Sequence, residues 1–423
     1  MESLRRSDAG PTVSAPPPEP TPGLAALALV EQRREERARA KRRLRRRRIL
    51  GVLAFLVLLF LPAAVYSYVG WLLRPTSVSW DVNSVEWVRN KVPFGNWMMD
   101  QIEQTYYSAQ APKKGGPGLK SLPAPGGGLA GIARAEARAW PPKIPTVFPH
   151  PLPGEGVWKP IGPPVNGGPP VLLTTFRTEL AYPEIVAYVA WFDHTRTQIG
   201  YYPGRYEPPS AAVRGPMMVP YGQRSRLLTT FNGGFTATDG NNGSTDNGRV
   251  NEPLTDGNAT LVGYSDGRVD IVKWSGGPNA GPDVAWTRQS LKPIIWNGRL
   301  NPDLNDNPDS PEWGYSLGSA TRVWRSGVGI DRRGNLFYVA ANDQTVITLA
   351  KILQHAGAVK AMEFDINPEW HTLITYSHGA NGLVPKLVEP QPQQSNHRYL
   401  VPDDRDFFAV YTPLPGPVTV PFH

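Results

Sequence analysis

The residues best suited to chemistry lie in the stretch Met362-Glu363-Phe364-Asp365-Ile366-Asn367-Pro368-Glu369-Trp370-His371. On a strand, residues two apart share a face with Cα atoms roughly 6.5–7 Å apart, so Glu363 and Asp365 read as a carboxylate pair. Asn367, Glu369 and His371 extend the polar set across a turn punctuated by Pro368. Such carboxylates can do general acid/base work, or hold a divalent cation such as calcium. The same alternation fits an edge strand with one solvated face. Acids set beside Met362, Phe364 and Trp370 argue against so plain a surface.

Three further stretches carry weaker signals. Phe231-Asn232-Gly233-Gly234-Phe235 closes an apolar run. Its two glycines free the backbone for positive φ and for close approach by a ligand, and the pattern equally fits a strand ending in a turn. Arg325, just before residues 327–331, can grip a phosphate through its bidentate fork, and a lone Arg also fits an ordinary ion pair. Residues 301–312 hold Asp303, Asn305, Asp306, Asn307 and Asp309. They invite a calcium reading but fail the EF-hand template, because Pro308 stands where Gly is needed and Gly314 where the bidentate Glu is needed. A turn-rich surface loop fits them better. His355, at a helix end, reads as structural. HExxH, P-loop, dinucleotide and GxSxG patterns are absent.

These residues need a strand framework to hold them, and the sequence offers one from about residue 170. Residues 171–176, 185–193, 227–231, 259–264 and 268–274 read as strands rich in β-branched and aromatic side chains. Asp266-Gly267 marks a hairpin between the last two. A second hairpin is expected at 331–335, joining strands 327–331 and 335–341. One helix follows at 345–356, with Leu349, Ile352, Leu353 and Ala356 on its apolar face and Gly357 as its C′ residue. Strands at 359–365, 372–377 and 407–411 complete the pattern. The expectation is one strand-dominated α+β domain over 170–423 with few helices.

The N-terminal part is of another kind. Residues 49–73 run 25 positions without a charge, and crossing a bilayer takes about 20. Inside lipid the backbone must satisfy itself, so this run is helical, with Pro62 kinking it. Arg45, Arg46, Arg47 and Arg48 precede it, and only Arg74 follows closely. The positive-inside rule then places residues 1–48 in the cytoplasm and the large domain outside the cell membrane. The run exceeds the 7–15-residue apolar core of a cleaved signal peptide. Residues 1–48 form a basic tail, with a disordered Pro- and Ala-rich start and a charged helix at 31–44. Residues 74–110 read as a juxtamembrane helical segment, lying on the membrane or packed on the domain. Residues 111–169 are rich in Pro and Gly and read as a linker or wrapping segment, with a short helix at 129–140.

Charge confirms that split. The chain carries +8, of which residues 1–50 hold +7, so the folded part is nearly neutral and nucleic acid is not an expected partner. The chain has no cysteine, which excludes disulfides, Cys-ligated zinc and thiol catalysis.

Taken in order, the motifs resemble the phosphodiester glycosidase family, which contains the catalytic domain of the lysosomal "uncovering enzyme" and many bacterial relatives. Asn232-Gly233-Gly234-Phe235 is similar to the family's Asn-Gly/Ala-Gly-Phe motif. Residues 253–267 resemble its next strand pair. Arg325-Ser326-Gly327-Val328-Gly329-Ile330-Asp331 resembles its Arg-x-x-(I/V)-Gly segment. The helix at 345–356 and strand at 358–365 resemble its closing helix and Asp-bearing strand. The resemblance covers roughly residues 170–412. Where the family commonly has Asp-Gly-Gly-Gly-Ser, this chain keeps Asp365 but continues Ile366-Asn367-Pro368-Glu369-Trp370.

The resemblance implies a membrane-anchored, extracytoplasmic hydrolase that cleaves a sugar-1-phosphodiester or related cell-envelope glycan, with no required cofactor. It implies Asp365 as the catalytic or cation-organising carboxylate, with Glu363 and Glu369 as partners. Arg325 is expected to hold the phosphate. Asn232, Gly233, Gly234, Asn367 and Trp370 are expected to meet the substrate, Trp370 by stacking on a sugar ring. The alternative on the same fold is a non-catalytic module that binds an envelope glycan or an assembly partner. An open pocket shared by the 365–370 turn, Arg325 and Asn232 favours the enzyme, and a pocket plugged by Trp370 favours the module.

Overall fold

Two tight turns fix the strand register from which the rest of the domain follows. Gly267, at φ 88°, closes the hairpin between strands at 259–264 and 269–273, donating its N–H to the Tyr264 carbonyl at 3.0 Å. Gly334, at φ 89°, closes the hairpin at 331–335, where the Asp331 carboxylate accepts the N–H groups of Arg333 and Asn335. Both conformations lie in the left-handed region that glycine adopts without a Cβ penalty.

The computed structural model describes residues 22–76, 78–123, 140–308, 310–315, 320–380, 382–389 and 395–414. By their contacts the residues divide into two units, Met1–Gly70 and Trp71–His423. The second unit holds three antiparallel sheets. The first, of eight strands, runs β1 (Lys159–Ile161), β2 (Val171–Glu179), β3 (Tyr182–Phe192), β14 (Leu336–Gln344), β13 (Val323–Ile330), β15 (Lys360–Glu363), β11 (Pro293–Trp296), β12 (Arg299–Leu300). The second, of five, runs β7 (Arg249–Glu252), β6 (Ser244–Asp246), β10 (Val284–Gln289), β8 (Ala259–Tyr264), β9 (Val269–Lys273). The third, also of five, runs β17 (Gly382–Leu387), β16 (Leu373–Gly379), β5 (Leu227–Asn232), β18 (Phe407–Tyr411), β4 (Gln198–Tyr202). The domain is strand-dominated with few helices, as its sequence implies.

The helix α4 (Val346–Ala356) forms where its apolar spacing places it. Thr345 caps its start, accepting the Thr348 N–H, and Gly357 at φ 111° ends it. Its buried face, Leu349, Ile352 and Leu353, covers one side of the large sheet. On the other side Phe231 stacks on Phe192, Phe364 and Phe408, joining the large sheet to the third.

Two elements depart from the sequence reading, and a third takes one of the two forms it allowed. The charged segment and the apolar span form one helix, α1 (Pro22–Leu72), because its Glu, Arg, Ala and Leu are all good helix formers and nothing breaks the run. This helix is long and apolar enough to cross a membrane. The juxtamembrane segment is two helices, α2 (Trp80–Lys91) and α3 (Gly95–Gln110). Pro93 cannot donate to a continuing helix, and Phe94 takes φ 61°. Gly95 lets the chain fold back, since a Cβ there would lie 1.9 Å from the Val88 carbonyl oxygen. Arg89 of α2 then holds α3 by ion pairs to Asp100 at 3.2 Å and Glu103 at 2.5 Å. Finally, the later part of the Pro/Gly-rich segment is packed onto the domain: Ile144 and Trp158 are buried, and buried Glu155 pairs with Arg177 at 2.8 Å. The helix expected at 129–140 falls almost wholly outside the described residues, as do residues 1–21 of the tail.

Candidate active site

β15 stops at Glu363, but its direction persists for two residues: Phe364 donates its N–H to the Ser326 carbonyl at 2.8 Å, and Ser326 donates to the Asp365 carbonyl at 2.9 Å. The turn that follows ties itself together. The Asp365 carboxylate accepts the Asn367 N–H at 2.9 Å, and the Asn367 side-chain oxygen accepts the Glu369 N–H at 2.9 Å. Pro368 is tolerated between these two turns because neither needs its missing N–H. Trp370 folds inward and is only 6% exposed. The guanidinium groups of Arg398 and Arg405 each lie 5.1 Å from its ring, a cation–π arrangement.

The opposite wall comes from the four charged residues that precede β18. Asp403 accepts from Arg398 at 3.0 Å. Asp404 pairs with Arg205 and, at 3.4 Å, with Arg74. Arg405 donates to the Asp365 carboxylate at 2.9 Å and to the Gly234 carbonyl at 3.1 Å. Asp406 pairs at 2.6 Å with Arg288, whose side chain is fully buried. Arg288 also reaches the Phe235 carbonyl at 2.7 Å and the Glu207 carboxylate at 3.4 Å. Glu207 completes the set by accepting the Ala237 N–H at 2.8 Å.

Between these walls lies a cavity of about 690 Å³. The domain lines it with Tyr206, Glu207, Thr236, Thr238, Asp239, Asn367, Trp370, Asp404 and Arg405. The chain before it contributes Trp71, Glu86, Arg89, Asn90, Lys91 and Asn96. A larger hollow, about 960 Å³, opens beside Trp296 and Arg299 but includes none of the residues expected to act or to meet the substrate, whereas the smaller one holds Asn367 and Trp370. We take the smaller one as the site, because it gathers buried acids, cations and an aromatic ring.

Burial raises the acids around it. Glu207 is pushed up to about 7 by burial, with Arg288 pulling the other way and Asp406 adding to the rise. Burial also raises Asp365, against the pull of Arg405. Glu369 is pushed to about 8, by burial first and then by Glu86 and Glu103 of the α2–α3 hairpin. A carboxyl group poised near neutrality can exchange a proton with substrate or water.

The structure sorts the residues singled out in the sequence. Asn367 and Trp370 line the cavity, and Asp365 sits at its wall under Arg405. Trp370 borders the cavity without closing it. Glu369 belongs to the acidic cluster with α2 and α3. Glu363 and Arg325 pair with each other at 2.5 Å, both buried and neither in the cavity lining. Arg325 also donates to the Gln344 carbonyl at 2.9 Å, so its fork is turned to the protein and not to a phosphate. Asn232 is likewise buried: its side-chain oxygen accepts from Tyr338 at 2.7 Å and from the Thr372 N–H at 3.1 Å, and its amide donates to Ser326 at 3.1 Å. The two glycines serve close approach, though by protein groups and without positive φ. A Cβ on Gly233 would lie 2.6 Å from the Asp406 carboxylate, and one on Gly234 would lie 2.8 Å from the Ser290 hydroxyl. Gly234 reaches the site through its carbonyl, held by Arg405.

Among the described residues no group of three or more His, Cys, Asp or Glu is placed to hold a metal ion. In the loop at 301–312, Asn301, Asn305 and Asp306 spend side-chain oxygens on the N–H groups of Asp303, Asn307 and Ile347. Asp309 lies outside the described residues.

Sequence reasoning missed Glu207, Arg288 and Arg405. The run Asp403-Asp404-Arg405-Asp406 was the available signal, since four charges leading into an apolar strand need partners. Glu207, between Tyr206 and Pro208, carries no such mark.

Residues 225–365 match the sequence profile of the phosphodiester glycosidase family. No curated protein matches. Among solved structures, the catalytic domain of zebrafish N-acetylglucosamine-1-phosphodiester alpha-N-acetylglucosaminidase, auto-inhibited by its pro-peptide, is similar at 13% identity and TM-score 0.39, over 59% of this chain and 86% of that one. A hypothetical protein from Synechocystis is similar at 14% identity and TM-score 0.33, over 60% of this chain and 64% of that one.

Proposed function

We propose that this protein is a membrane-anchored, extracytoplasmic hydrolase that cleaves the anomeric C–O bond of a sugar-1-phosphodiester or a related envelope glycan. The family of residues 225–365 supplies the reaction class, and the uncharged run of α1 supports the anchor. The observation that carries the catalytic reading is the cavity in which Glu207, raised to about 7, and Arg405 face the Asn367–Trp370 turn.

The chemistry assigns roles. A departing phosphate monoester is a fair leaving group and needs little protonation, so the greater need is a base for the attacking water. Glu207 in its carboxylate form takes the water's proton. The water oxygen bonds to C1, and the C1–O electron pair leaves with the phosphate. Arg405 lies beside the leaving oxygen and offsets its charge, with Arg89 and Lys91 adding positive charge at the rim. Asp365 fixes the Arg405 guanidinium and is a positioning residue for it. Trp370 presents its ring edge as an apolar wall for the sugar. No cofactor enters this scheme, because Arg405 supplies the cationic charge.

The test is release of free sugar from a panel of glycosyl-1-phosphodiesters by the full chain in detergent, with and without EDTA, beside Glu207→Gln. Release that survives EDTA and collapses in the variant supports the reading. Tight glycan binding without release by a well-folded protein would establish the non-catalytic module instead.

A further inference from the structure

The larger hollow, beside Trp296 and Arg299, takes no part in the chemistry above. Its floor is the β11–β12 hairpin, in which Asn297 at φ 51° and Gly298 at φ 76° supply the two positive φ angles of a type I′ turn. Trp296 and Arg299 are therefore cross-strand partners on one face of the hairpin. The neighbouring pair, Ile295 and Leu300, packs with the apolar cluster under α4. The turn is clamped from outside. Gly298 donates its N–H to the Val359 carbonyl at 2.7 Å, and Gln354 of α4 donates to the Gly298 carbonyl at 2.9 Å. An aromatic ring and a guanidinium thus stand side by side on a fixed support.

The walls sort into groups that are spent on the protein and groups that are not. Asp256 accepts the Gly277 N–H at 3.0 Å, Asn258 donates to the Gly240 carbonyl at 3.2 Å, and Asn301 donates to the Pro293 carbonyl at 2.8 Å. Lys292 pairs with Glu312 at 2.6 Å. These four hold the surrounding loops in place. Lys273, Asn297, Arg299 and Asp303 also line the hollow, and their side chains make no hydrogen bond or ion pair among the described residues. Trp296 is half-buried, and Lys360, tied to Asp270 at 2.6 Å, lies 5.6 Å from its ring. Any one unspent polar group on a surface needs no explanation. Two cations, an acid and an amide gathered around one indole, in a hollow of about 960 Å³, form a binding surface at the upper end of the size of small-molecule sites.

We propose that this hollow is a second binding site, apart from the catalytic cavity, for a saccharide chain that carries acidic groups. The indole of Trp296 offers an apolar face to a sugar ring. Arg299 and Lys273 meet a carboxylate or a phosphate, and Asp303 and Asn297 meet hydroxyl groups. The mixed sign of the lining decides the class. Arg299 and Lys273 stand close to Asp256 and Asp303, so a polymer with an anion on every unit, such as single-stranded nucleic acid, is repelled as well as attracted. A chain in which charged and neutral rings alternate can match both signs. The volume has room for several linked rings, well beyond the needs of a single ion. The two hollows share no lining residue, so this site does not depend on the hydrolase reading.

The test is calorimetric titration of the full chain in detergent with three probes. They are a hyaluronan tetrasaccharide, in which uronate and neutral rings alternate, chitotetraose as its neutral counterpart, and maltotetraose bearing one phosphate monoester. At least one acidic chain should bind about tenfold or more tighter than the neutral one, and the stronger of the two tells carboxylate from phosphate. Arg299→Ala and Lys273→Ala remove exposed side chains without internal partners. Each should leave the melting temperature unchanged and weaken the acidic chain about tenfold. Trp296→Ala should weaken all three probes, and Glu207→Gln, in the other cavity, should weaken none. Arg299→Ala should also leave sugar release from a soluble glycosyl-1-phosphodiester unchanged, so the two readings fail separately. Binding of no probe, or binding that survives both Arg299→Ala and Trp296→Ala, overturns the site. Equal binding of acidic and neutral chains overturns the acidic ligand. Tighter binding of a single-stranded oligonucleotide, lost in the same variants, overturns the saccharide.

Discussion

Two buried Arg–carboxylate pairs lie at neighbouring positions on the late strand and differ in what they face. Arg325–Glu363 is sealed between β13 and β15, with 4% and 1% of its side chains exposed. Arg405–Asp365 keeps 16% and 6% and opens on the cavity. In the sealed pair Arg325 also donates to the Gln344 carbonyl, inside the protein, whereas the open pair borders the cavity through Arg405. Sequence pointed to Arg325 as the residue to hold a phosphate, whereas the fold seals Arg325 against Glu363 and leaves Arg405 at the cavity. The lesson is that an arginine's role follows from which carboxylate reaches it first and on which side of the sheet.

Mutations can break this comparison, beginning with the largest effect. Glu207→Gln should lower kcat/KM by about 10²–10⁴-fold in the sugar-release assay while the protein melts no lower, because it removes a proton acceptor and a buried charge together. An unchanged rate would take Glu207 out of the reaction. Arg325→Met should act in the reverse way. It leaves Glu363 buried and alone, at a cost of about 3–5 kcal/mol in denaturant unfolding, with activity per folded molecule retained. Loss of activity at full stability would return Arg325 to the site. Arg405→Lys is expected to cost about 10–100-fold in kcat/KM, because one nitrogen of the guanidinium holds both Asp365 and the Gly234 carbonyl, and a lysine that kept those two bonds would lose the further N–H donors that the guanidinium brings to the cavity.

The pH profile sharpens the contrast. As a base, Glu207 acts when deprotonated, so kcat/KM should rise with pH through about 7, and the rise should be absent in Glu207→Gln. Stability runs the other way. Glu389 is fully buried, accepts the Leu373 N–H at 3.0 Å and is pushed by burial from 4.5 up to about 8. Between those values the folded state holds a proton that the unfolded chain has released, so stability falls as pH rises across that window. Glu389→Gln should therefore melt about 2–4 °C above the parent at pH 9 and no higher at pH 4. Equal shifts at both pH values would remove the charge as the cause.

The sequence was readable wherever one face of an element is apolar. β8, β18 and α4 fall at or within a residue of their expected limits, and Gly267, Gly334 and Gly357 adopt the turns their neighbours require. It was unreadable where strands are short or polar. β6 is Ser244-Thr245-Asp246, and β17, which carries Pro385, is an edge strand with no fully buried residue. The site divides the same way. Asp365 and its turn are local features and were legible. Arg405 and Glu207 acquire roles from partners 40 to 171 residues away, through pairings no local window contains.

The segment 403–406 has a bearing on how the protein is made. Its side chains reach Arg398, Arg74 with Arg205, Asp365 and Arg288, and the Asp404–Arg74 pair spans 330 residues of chain. Synthesis proceeds from the N-terminus, so the helix that ends beside Arg74 emerges long before its partner. The cavity therefore stays unfinished until almost the whole polypeptide has been delivered. Its closing step joins the first folded turn after the apolar helix to the last strand of the domain. The cavity is completed in one late event, and a chain cut short before residue 403 keeps its long apolar helix but lacks the wall that Asp404 and Arg405 supply.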